Sequence, residues 1–255
     1  MSCVYAQEKP LISIITSVYK SEKFMRSFLE DITQQTIFNQ CELILINANS
    51  PENEEAIIHE FQKTFSNITY LKLDVDPGLY GVWNRALAFA NGEFITNANT
   101  DDRLHPECYQ TYISYLINHS EIDLVYADYY LTYDLPLYTF SKLSSEKIAC
   151  ASRSPIYSFE LLKRYCFIGP QPMWRKSMHT RYGVFNDSYA IAGDWEMWLR
   201  AACFGAKFAK IPQVLGLFYV NPEGLSNCKA RSAQIRYEER VVRNCYGSRT
   251  IKRKI

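Results

Sequence analysis

The sequence predicts an α/β fold in which helices cover both faces of a mainly parallel sheet. Short apolar runs rich in β-branched residues alternate four times, over about 130 residues, with segments whose apolar residues recur at helical spacing. Proline, glycine and asparagine mark several of the boundaries. Apolar residues make up 47% of the 255 residues, which is enough for a substantial core. The length suits one large domain, or one domain with a small appendage.

The first half of the chain carries the regular alternation. The run after Pro10 is typical of a buried strand, and proline with acidic residues at 51–55 is typical of a helix N-terminus. The Asn91-Gly92 pair is a C-cap signal that ends the third helix. In chain order we expect strands at 11–19, 41–47, 68–74, 93–98 and 122–131, separated by helices at 22–35, 51–65, 79–92 and 106–119.

The alternation stops after Leu131, where a mixed and polar segment follows. Beyond it we expect a short strand and a helical turn within 169–185, a helix at 193–205 with a glycine cap, short strands around Pro212, and a helical C-terminus from about Ser226. The chain has no internal repeat and no low-complexity linker, so the sequence marks no firm domain boundary.

The charge distribution is uneven although the net charge is only +1. Residues 229–255 carry nine Lys or Arg and two Glu, a net charge of +7, so the remaining 228 residues carry −6. The whole-chain balance indicates no nucleic-acid partner. The basic tail predicts peripheral contact with an anionic membrane surface or a polyphosphate, and the alternative is a solvated terminal helix.

The cysteine pattern and the N-terminus predict the compartment. The eight cysteines form no Cys-x-x-Cys pair, and no histidine stands at metal-site spacing from them, so free thiols in a reducing compartment are expected. No basic segment followed by an apolar one opens the chain, and no run of about 18 apolar residues occurs. We therefore predict a cytoplasmic protein whose tail could reach the inner membrane surface.

Two adjacent carboxylates, Asp101 and Asp102, follow the fourth predicted strand. In parallel sheets, ligands bind beyond the carboxyl ends of the strands, and Asn47 and the Thr16-Ser17 pair end two other strands at that edge. No glycine-rich loop follows the first strand, so phosphates bound there would need another counter-charge. A Mg²⁺ or Mn²⁺ ion on the carboxylates would supply it, whereas the alternative reading is a solvated turn.

Five segments then indicate a family: "SIITSVYKSEKF", "LILINANSPE", "DPGLYGVWNRALAFANGEFITNANTDDRLHP", "GPQPMWRKSMHTRYGVFNDSYAIAGDWEMWLR" and "FYVNPEGLS". In this order, over roughly residues 10–226, the chain resembles the inverting family 2 glycosyltransferases, which have the nucleotide-sugar-binding GT-A fold. The resemblance implies a GT-A domain over 1–228. It also implies a nucleotide-sugar half at about 10–130, an acceptor half at about 131–226, and the basic tail at 229–255.

The resemblance also implies the chemistry. Asp102 would bind the metal, Asp101 would lie on the ribose side, and Asp194 would be the general base that takes the proton of the acceptor hydroxyl. The implied donor-binding residues are Thr16, Ser17, Tyr19, Asn47, Asp76, Arg85, Asn99 and Asp101. The implied enzyme is a hexosyltransferase-type glycosyltransferase that acts in polysaccharide biosynthesis. Its donor would be a nucleotide-sugar, and its acceptor a hydroxyl of a glycan, a lipid-linked glycan or a protein.

Several positions depart from the family pattern. Asn47 stands where relatives usually have an aspartate that contacts the base, Gly193 stands where an acid commonly precedes the catalytic aspartate, and Asn221 stands where a histidine is common. These changes leave open a protein that binds a nucleotide-sugar without turning it over. A nucleotidyltransferase, which also uses paired carboxylates and Mg²⁺, is a third possibility, although no lysine-bearing glycine loop follows the first strand.

Overall fold

The computed structural model describes residues 9–248. Within them the chain forms nine strands and eight α-helices. The strands are β1 (Ile12–Val18), β2 (Cys41–Asn47), β3 (Ile68–Lys72), β4 (Phe94–Asn97), β5 (Arg103–Leu104), β6 (Leu124–Thr132), β7 (Cys150–Ser152), β8 (Met173–Arg175) and β9 (Phe208–Tyr219). The helices are α1 (Glu22–Thr33), α2 (Glu54–Gln62), α3 (Leu79–Phe89), α4 (Cys108–Asn118), α5 (Phe159–Leu162), α6 (Ser177–Tyr182), α7 (Gly193–Cys203) and α8 (Ser232–Tyr246).

The strands form one mixed sheet in the order β3-β2-β1-β4-β8-β6-β9-β5, with β7 paired to β6. The strands β1, β2, β3 and β4 are parallel, and β6 and β9 are also parallel to each other. β8 runs antiparallel between β4 and β6 and so joins the two parts of the sheet. The predicted α/β fold with a mainly parallel sheet is therefore confirmed.

The expectation of short strands around Pro212 is wrong. A single twelve-residue strand, β9, replaces the short strands expected there. Its register against β6 slips next to Pro212, because Ile211 pairs with Ala127 while Val214 pairs with Asp128. A proline has no N–H to donate to a ladder, and a bulge lets the strand continue past it. The strands β5 and β7 were not predicted, since two or three residues show no period.

Two apolar layers cover the sheet. Ile15 and Ile95 of the sheet pack with Trp198 of α7 on one face, whereas Ile14 and Phe28 belong to the layer on the other face. Side chains that alternate along β1 thus enter different layers, as the period of two in a strand requires. Because β1, β2 and β4 are parallel, their carboxyl ends lie at the same edge of the sheet.

The C-terminal helix α8 packs against α7 and is not simply solvated. Its Glu238, Val242 and Tyr246 are buried, while Arg236 and Arg240 are exposed. Residues 249–255, which carry four of the nine basic residues of the predicted tail, lie outside the described residues. Between residues 9 and 248, no helix combines the length and apolar character needed to cross a membrane.

Candidate functional site

The loop between β4 and β5 brings the predicted carboxylates to the edge of the sheet. Asp102 is 3% exposed, and its Oδ2 accepts a hydrogen bond from Asn99 Nδ2 at 2.9 Å. The backbone N–H of Asp102 donates to the Asn99 carbonyl at 3.3 Å, which closes the loop into a tight turn. Asn99, Asp101 and Asp102 therefore lie together, as the sequence predicts.

The end of β9 supplies two further donors to these carboxylates. The Tyr219 N–H donates to Asp102 Oδ1 at 3.1 Å, and Asn221 Nδ2 donates to Asp101 Oδ2 at 2.9 Å. The pairing of β5 with β9, in which Arg103 lies opposite Leu217, carries the two segments to the same place. Asn221 is thus a contact of the carboxylate pair, a role that the sequence alone did not assign.

The electrostatics of the pair are unfavourable without a cation. Burial, and then the neighbouring Asp101 carboxylate, raise the pKa of Asp102 to about 8. The hydrogen bonds from Asn99 and Tyr219 act in the opposite direction but have the smaller effect. A positive charge next to Asp102 would stabilise its ionised form.

The carboxylate oxygens of Asp101 and Asp102 suit a hard divalent cation whose remaining ligands are phosphate oxygens. Among residues 9–248, no group of three or more His, Cys, Asp or Glu side chains comes together to hold an ion by itself. Mg²⁺ usually binds through one or two carboxylates together with substrate phosphates, and carboxylate oxygens also suit Mn²⁺. Asp102, with Asp101 beside it, meets that requirement.

Arg103 and Asp31 fix the loop between β4 and β5, which carries Asp101 and Asp102. Arg103 is fully buried, and its Nε donates to the Tyr138 carbonyl at 2.8 Å while Nη1 donates to the Thr100 carbonyl at 2.9 Å. The Asp31 carboxylate accepts the N–H of Leu104 at 2.7 Å. Burial raises the pKa of Asp31 to about 6. The two side chains tie the loop after β4 to α1 and to the segment after β6.

The loops after β1 and β2 are joined by Glu54, which is fully buried. Glu54 Oε1 accepts the Ser21 N–H and the Ser50 hydroxyl, each at 2.8 Å. Ser50 Oγ in turn accepts the Lys20 N–H at 3.0 Å. Lys20 and Asn49 both have positive φ, 50° and 57°, so each loop contains a residue in the left-handed region. Glu54 therefore holds two tight loops at the same edge.

Asn47 is buried at the end of β2, and its amide is already engaged. Its Oδ1 accepts the Ser50 N–H at 2.7 Å, and its Nδ2 lies 3.0 Å from the Tyr70 hydroxyl. Thr16 is fully buried within β1 and does not reach the surface of the edge, whereas Ser17 is partly exposed and Tyr19 is 44% exposed. The structure therefore offers Ser17 and Tyr19, but not Thr16, to a ligand at this edge.

Asp76 and Arg85 flank the start and the middle of α3. Asp76 is exposed, and its Oδ1 accepts the Gly78 N–H at 2.8 Å. Gly78 has φ 78°, which suits glycine at this turn into the helix. Arg85 is exposed on α3. Within residues 9–248, no hydrogen bond or ion pair joins either residue to Asp101 or Asp102.

Asp194 lies in the first turn of α7. Its Oδ1 accepts the Trp195 N–H at 2.7 Å and lies 3.1 Å from the Tyr80 hydroxyl of α3. Burial raises the pKa of Asp194, and the contacts with Trp195 and Tyr80 partly offset that effect. Asp194 does not cap this helix, because the N-cap of α7 is Ala192 and no side chain makes a capping bond there. The Tyr80 contact has no capping role.

Glu238 of α8 holds the loop that leads into α7. Its Oε2 accepts the N–H groups of Ile191 at 2.8 Å and Ala192 at 2.9 Å, and its Oε1 accepts the Ala190 N–H at 3.0 Å. Glu238 is 5% exposed, so these bonds replace water around a buried carboxylate. The position of Asp194 thus depends on a residue 44 positions later in the chain.

Gly193 makes room for the ring of Tyr80. A Cβ atom at position 193 would lie 2.6 Å from Cδ2 and Cε2 of that ring, which is closer than atoms can pack. The Tyr80 ring also packs against Trp83 and Phe185, with ring centroids 5.4 Å and 5.9 Å away. The absence of an acidic side chain at position 193 is therefore matched by a large aromatic residue at position 80.

The segment 166–172 runs between the two carboxylate regions. The Cys166 thiol interacts electrostatically with Asp194, while the Pro170 carbonyl accepts Asn97 Nδ2 at 2.9 Å near the Asp101–Asp102 loop. A cleft of about 290 Å³ adjoins this segment, and neither Asp101 nor Asp194 lines it. Its lining includes Arg103, Tyr126, Asp128, Gln171 and Leu217. The hydrogen-bonded carboxylates therefore lie outside this cleft.

The residues that sequence reasoning missed are Tyr80, Arg103 and Glu238, whereas Asn221 had been noted only as a departure from the family pattern. Arg103 had no local signal, because it follows Asp101 and Asp102 in a polar segment, where an arginine is usually exposed. Tyr80 and Glu238 had none, because each acts through contacts more than 40 residues away in the chain.

Comparison with known proteins identifies the family of this chain. The model of the family described as "Glycosyl transferase family 2" matches residues 13–182. The chain is 25% identical over 214 residues to an uncharacterized glycosyltransferase of Methanocaldococcus jannaschii, and the match covers 82% of this chain and 70% of the relative.

Solved structures of two proteins share the fold. S. aureus TarS 1–349 in complex with UDP has a TM-score of 0.70 at 15% identity, over 94% of this chain and 67% of TarS 1–349. The mannosyltransferase PcManGT of Pyrobaculum calidifontis, in complex with GDP-Man and Mn²⁺, has a TM-score of 0.70 at 14% identity, over 95% of this chain and 66% of its own. The chain spans about two thirds of each, and 38% of a longer TarS chain.

Proposed function

Because the chain belongs to glycosyl transferase family 2 and is a glycosyltransferase that uses a nucleotide-sugar, we propose that it transfers the sugar to a hydroxyl acceptor with inversion. In this proposal Asp194 is the general base and a divalent cation binds at Asp102. The proposal rests on the buried Asp102 and the partly exposed Asp101 beside it, which amide and backbone donors hold at the carboxyl edge of the sheet.

The donor lies along that edge in the proposed complex. Asp101 would contact the ribose, and Asp102 would hold the cation next to the diphosphate. The cation, Mn²⁺ or Mg²⁺, supplies positive charge to the departing diphosphate when it is bound. A related fold that was solved with GDP-Man and Mn²⁺, and another solved with UDP, support this placement.

Further residues contact the donor in this proposal. Ser17, Tyr19 and Asn99 face the nucleotide from the loops, while Asp76 and Arg85 lie on the α3 side. An arginine suits planar contact with phosphate oxygens. The engaged amide of Asn47 shapes the base pocket together with Tyr70 and is not free for a direct contact. The identity of the base therefore depends on the neighbouring loops.

Asp194 acts on the acceptor in the proposed step. The acceptor oxygen forms a bond to the anomeric carbon while the bond from that carbon to the diphosphate breaks. The diphosphate leaves with the bonding electrons, and the proton of the acceptor hydroxyl moves to Asp194. The raised pKa of Asp194 makes its carboxylate a stronger base than an exposed aspartate.

The two halves of the domain divide these tasks in our proposal. Residues 10–130 bind the nucleotide-sugar, and residues 131–226 bind the acceptor, which is a glycan, a lipid-linked glycan or a protein hydroxyl. The basic face of α8, with Arg236 and Arg240 exposed, is a candidate for contact with an anionic membrane surface. We propose a cytoplasmic location and a role in polysaccharide biosynthesis on the same basis.

Binding and turnover test different parts of the proposal. Thermal unfolding is measured with UDP, GDP, dTDP and CMP, each with and without Mn²⁺, because a ligand of the folded state raises the melting temperature. We expect one nucleotide to stabilise the protein in a metal-dependent manner. Release of nucleoside diphosphate from the matching nucleotide-sugar then measures turnover.

Asp194→Asn is the decisive variant for the base. It should retain the nucleotide-dependent shift in melting temperature and lose turnover by at least about a hundredfold, since base catalysis typically contributes 10²–10⁴-fold. Full turnover by Asp194→Asn would contradict the assignment of Asp194 as the general base. Metal-dependent nucleotide binding by a wild-type protein that never consumes a donor would instead favour a binding protein, an alternative that no comparison supports.

A further inference from the structure

The Tyr80 hydroxyl lies between two acceptors. Its oxygen is 2.5 Å from the Ile191 carbonyl oxygen and 3.1 Å from Asp194 Oδ1. A phenol carries a single proton and can donate it to only one of them at a time. The side chain is 2% exposed, so bulk water does not compete for either contact.

The two contacts suit the two protonation states of Asp194. When the carboxylate is ionised, the hydroxyl donates to Oδ1, which also accepts the Trp195 N–H. When the carboxyl is protonated, it can donate to the Tyr80 oxygen, and the phenol proton turns to the Ile191 carbonyl. Only the C–O bond of the phenol has to rotate, and no heavy atom moves.

We propose that Tyr80 is a positioning residue for Asp194, whose hydroxyl donates to the ionised carboxylate and turns to the Ile191 carbonyl once the carboxyl holds a proton. The inference rests on the proposed role of Asp194 as the base. During transfer the acceptor proton moves to Asp194, while Tyr80 retains its own proton throughout. The base thus keeps a partner before and after the step.

The surroundings hold both acceptors in place. Glu238 fixes the loop that carries the Ile191 carbonyl through three N–H groups. Gly193 lets the Tyr80 ring approach the start of α7, because a Cβ there would lie 2.6 Å from the ring. Phe185 and Trp83 pack against the ring and restrict its rotation. The hydroxyl proton is therefore the part of this arrangement that remains free to move.

The titratable groups that face Asp194 come from two elements besides its own. Tyr80 comes from α3, and the Cys166 thiol comes from the segment between α5 and β8. Burial raises the pKa of Asp194, and the Tyr80 contact lowers it again. Loss of the hydroxyl should therefore raise the pKa of Asp194 further.

The direct test is the titration of the Asp194 carboxyl by carbon NMR in the full chain labelled with [4-¹³C]aspartate. Asp194→Asn identifies the resonance by its disappearance. In Tyr80→Phe the midpoint should move up by about one pH unit, since a hydrogen bond to a charged group is worth about that much. Tyr126→Phe is the matched control, because it loses a buried hydroxyl that donates to the Pro155 carbonyl at 2.7 Å. An unchanged midpoint in Tyr80→Phe overturns the proposal.

Turnover supplies a second readout, with release of nucleoside diphosphate from the nucleotide-sugar that the binding panel selects. The acid limb of the kcat profile of Tyr80→Phe should shift upward with the NMR midpoint, at an unchanged KM for the donor. A fall in kcat without a shift of that limb would overturn the positioning role. Full turnover by Asp194→Asn would remove the base assignment and leave the NMR result standing, so the two failures differ.

A variant that keeps the hydroxyl covers the case in which Tyr80→Phe does not fold. 3-Fluorotyrosine at position 80 preserves the ring and makes the phenol a stronger donor. The midpoint of Asp194 should then move to lower pH. A midpoint equal to that of the wild type would overturn the proposal.

Discussion

Asp102 Oδ1 accepts the backbone N–H of Tyr219 at 3.1 Å, although 117 positions separate the two residues. The bond exists because the two-residue strand β5 pairs with the end of β9. The geometry of the carboxylate pair therefore depends on a strand from the second half of the chain. Neither half can form these contacts of the carboxylates alone.

Asp102→Asn should separate folding from donor binding. The neutral amide removes a buried charge beside Asp101, so we expect the ligand-free variant to be at least as stable as the wild type at pH 8. The metal-dependent stabilisation by nucleotide should disappear, because the proposed cation loses its main ligand. Thermal unfolding with Mn²⁺ and the selected nucleotide measures this, with the exposed Asp134→Asn as control. A full metal-dependent shift in Asp102→Asn would contradict the metal assignment.

Glu238→Gln should weaken the loop before α7. An amide cannot accept all the N–H groups that the carboxylate accepts, so a buried donor loses its partner. We expect the free energy of unfolding to fall by about 2 kcal/mol. Glu239→Gln is the matched control, since its contact with Arg243 is a surface ion pair and its loss should cost less than about 1 kcal/mol. If urea unfolding shows equal losses of unfolding free energy in the two variants, Glu238 does not hold the loop as we expect.

The same two variants should also differ in their rates of turnover. The proposed nucleotide contacts lie on other segments than the loop that Glu238 holds, so nucleotide-dependent stabilisation should persist in Glu238→Gln. Turnover should fall about tenfold or more, because a displacement of the catalytic group by about 1 Å can cost a hundredfold. Parallel losses of nucleotide binding and turnover would indicate general unfolding instead.

Gly92→Ala should be strongly destabilising. A Cβ there would lie 2.6 Å from the Ser13 N atom and 2.8 Å from the Ile12 C atom, and this backbone belongs to the central strand β1. Since that strand cannot move aside cheaply, we expect a loss of about 2–3 kcal/mol. At Gly216 the nearest atom to an added Cβ is 3.6 Å away, so Gly216→Ala should cost less than about 1 kcal/mol of steric strain. Chemical denaturation compares the two, and similar midpoints would contradict the steric argument.

His179 should make stability depend on pH. Its Nε2 accepts Trp174 Nε1–H at 2.9 Å, so Nδ1, 3.2 Å from the Gly183 carbonyl, carries the proton of the neutral ring. Burial, together with Arg200 and Lys176, lowers the pKa of His179 to about 4. The stabilisation is complete above the unfolded-state pKa of about 6.5 and is lost as the pH falls through that value toward 4.

The size of this effect can be measured in a variant. The free energy of unfolding of the wild type should fall by about 3 kcal/mol between pH 6.5 and pH 4, beyond any change seen in His179→Gln. Urea unfolding at half-unit pH intervals gives both curves. Curves that stay parallel over this interval would show that the neutral histidine is not the source.

The alternating elements of the first half could be predicted because each has a local signal. Apolar periods, Pro51 and the Asn91-Gly92 pair all act within a few residues. Asp101 and Asp102 followed from their place after β4, since strand ends meet at one edge, whereas Asn99 came from the resemblance to a family. The resemblance to a family added Asp194, which local patterns alone do not distinguish from a helix cap.

The remaining features depend on contacts between distant segments. The slip at Pro212 is a property of two paired strands, and the contact of Asn221 with Asp101 requires the β5–β9 pairing. The burial of Glu238 on a helix rich in arginine could not be expected from its charge pattern, because a solvated face has the same composition. Thr16 was expected at the edge because it ends an apolar run, yet its side chain points into the packed sheet.

The close fit of Gly193 against Tyr80 limits the order in which this chain can mutate. Any side chain gained at position 193 would meet the aromatic ring, so a smaller residue has to appear at position 80 first or in the same event. The reverse change, from a bulky residue at position 193 to glycine, would leave a void until a larger side chain appears at position 80. The two sites are thus epistatic, and descendants of one ancestor should carry them as matched pairs.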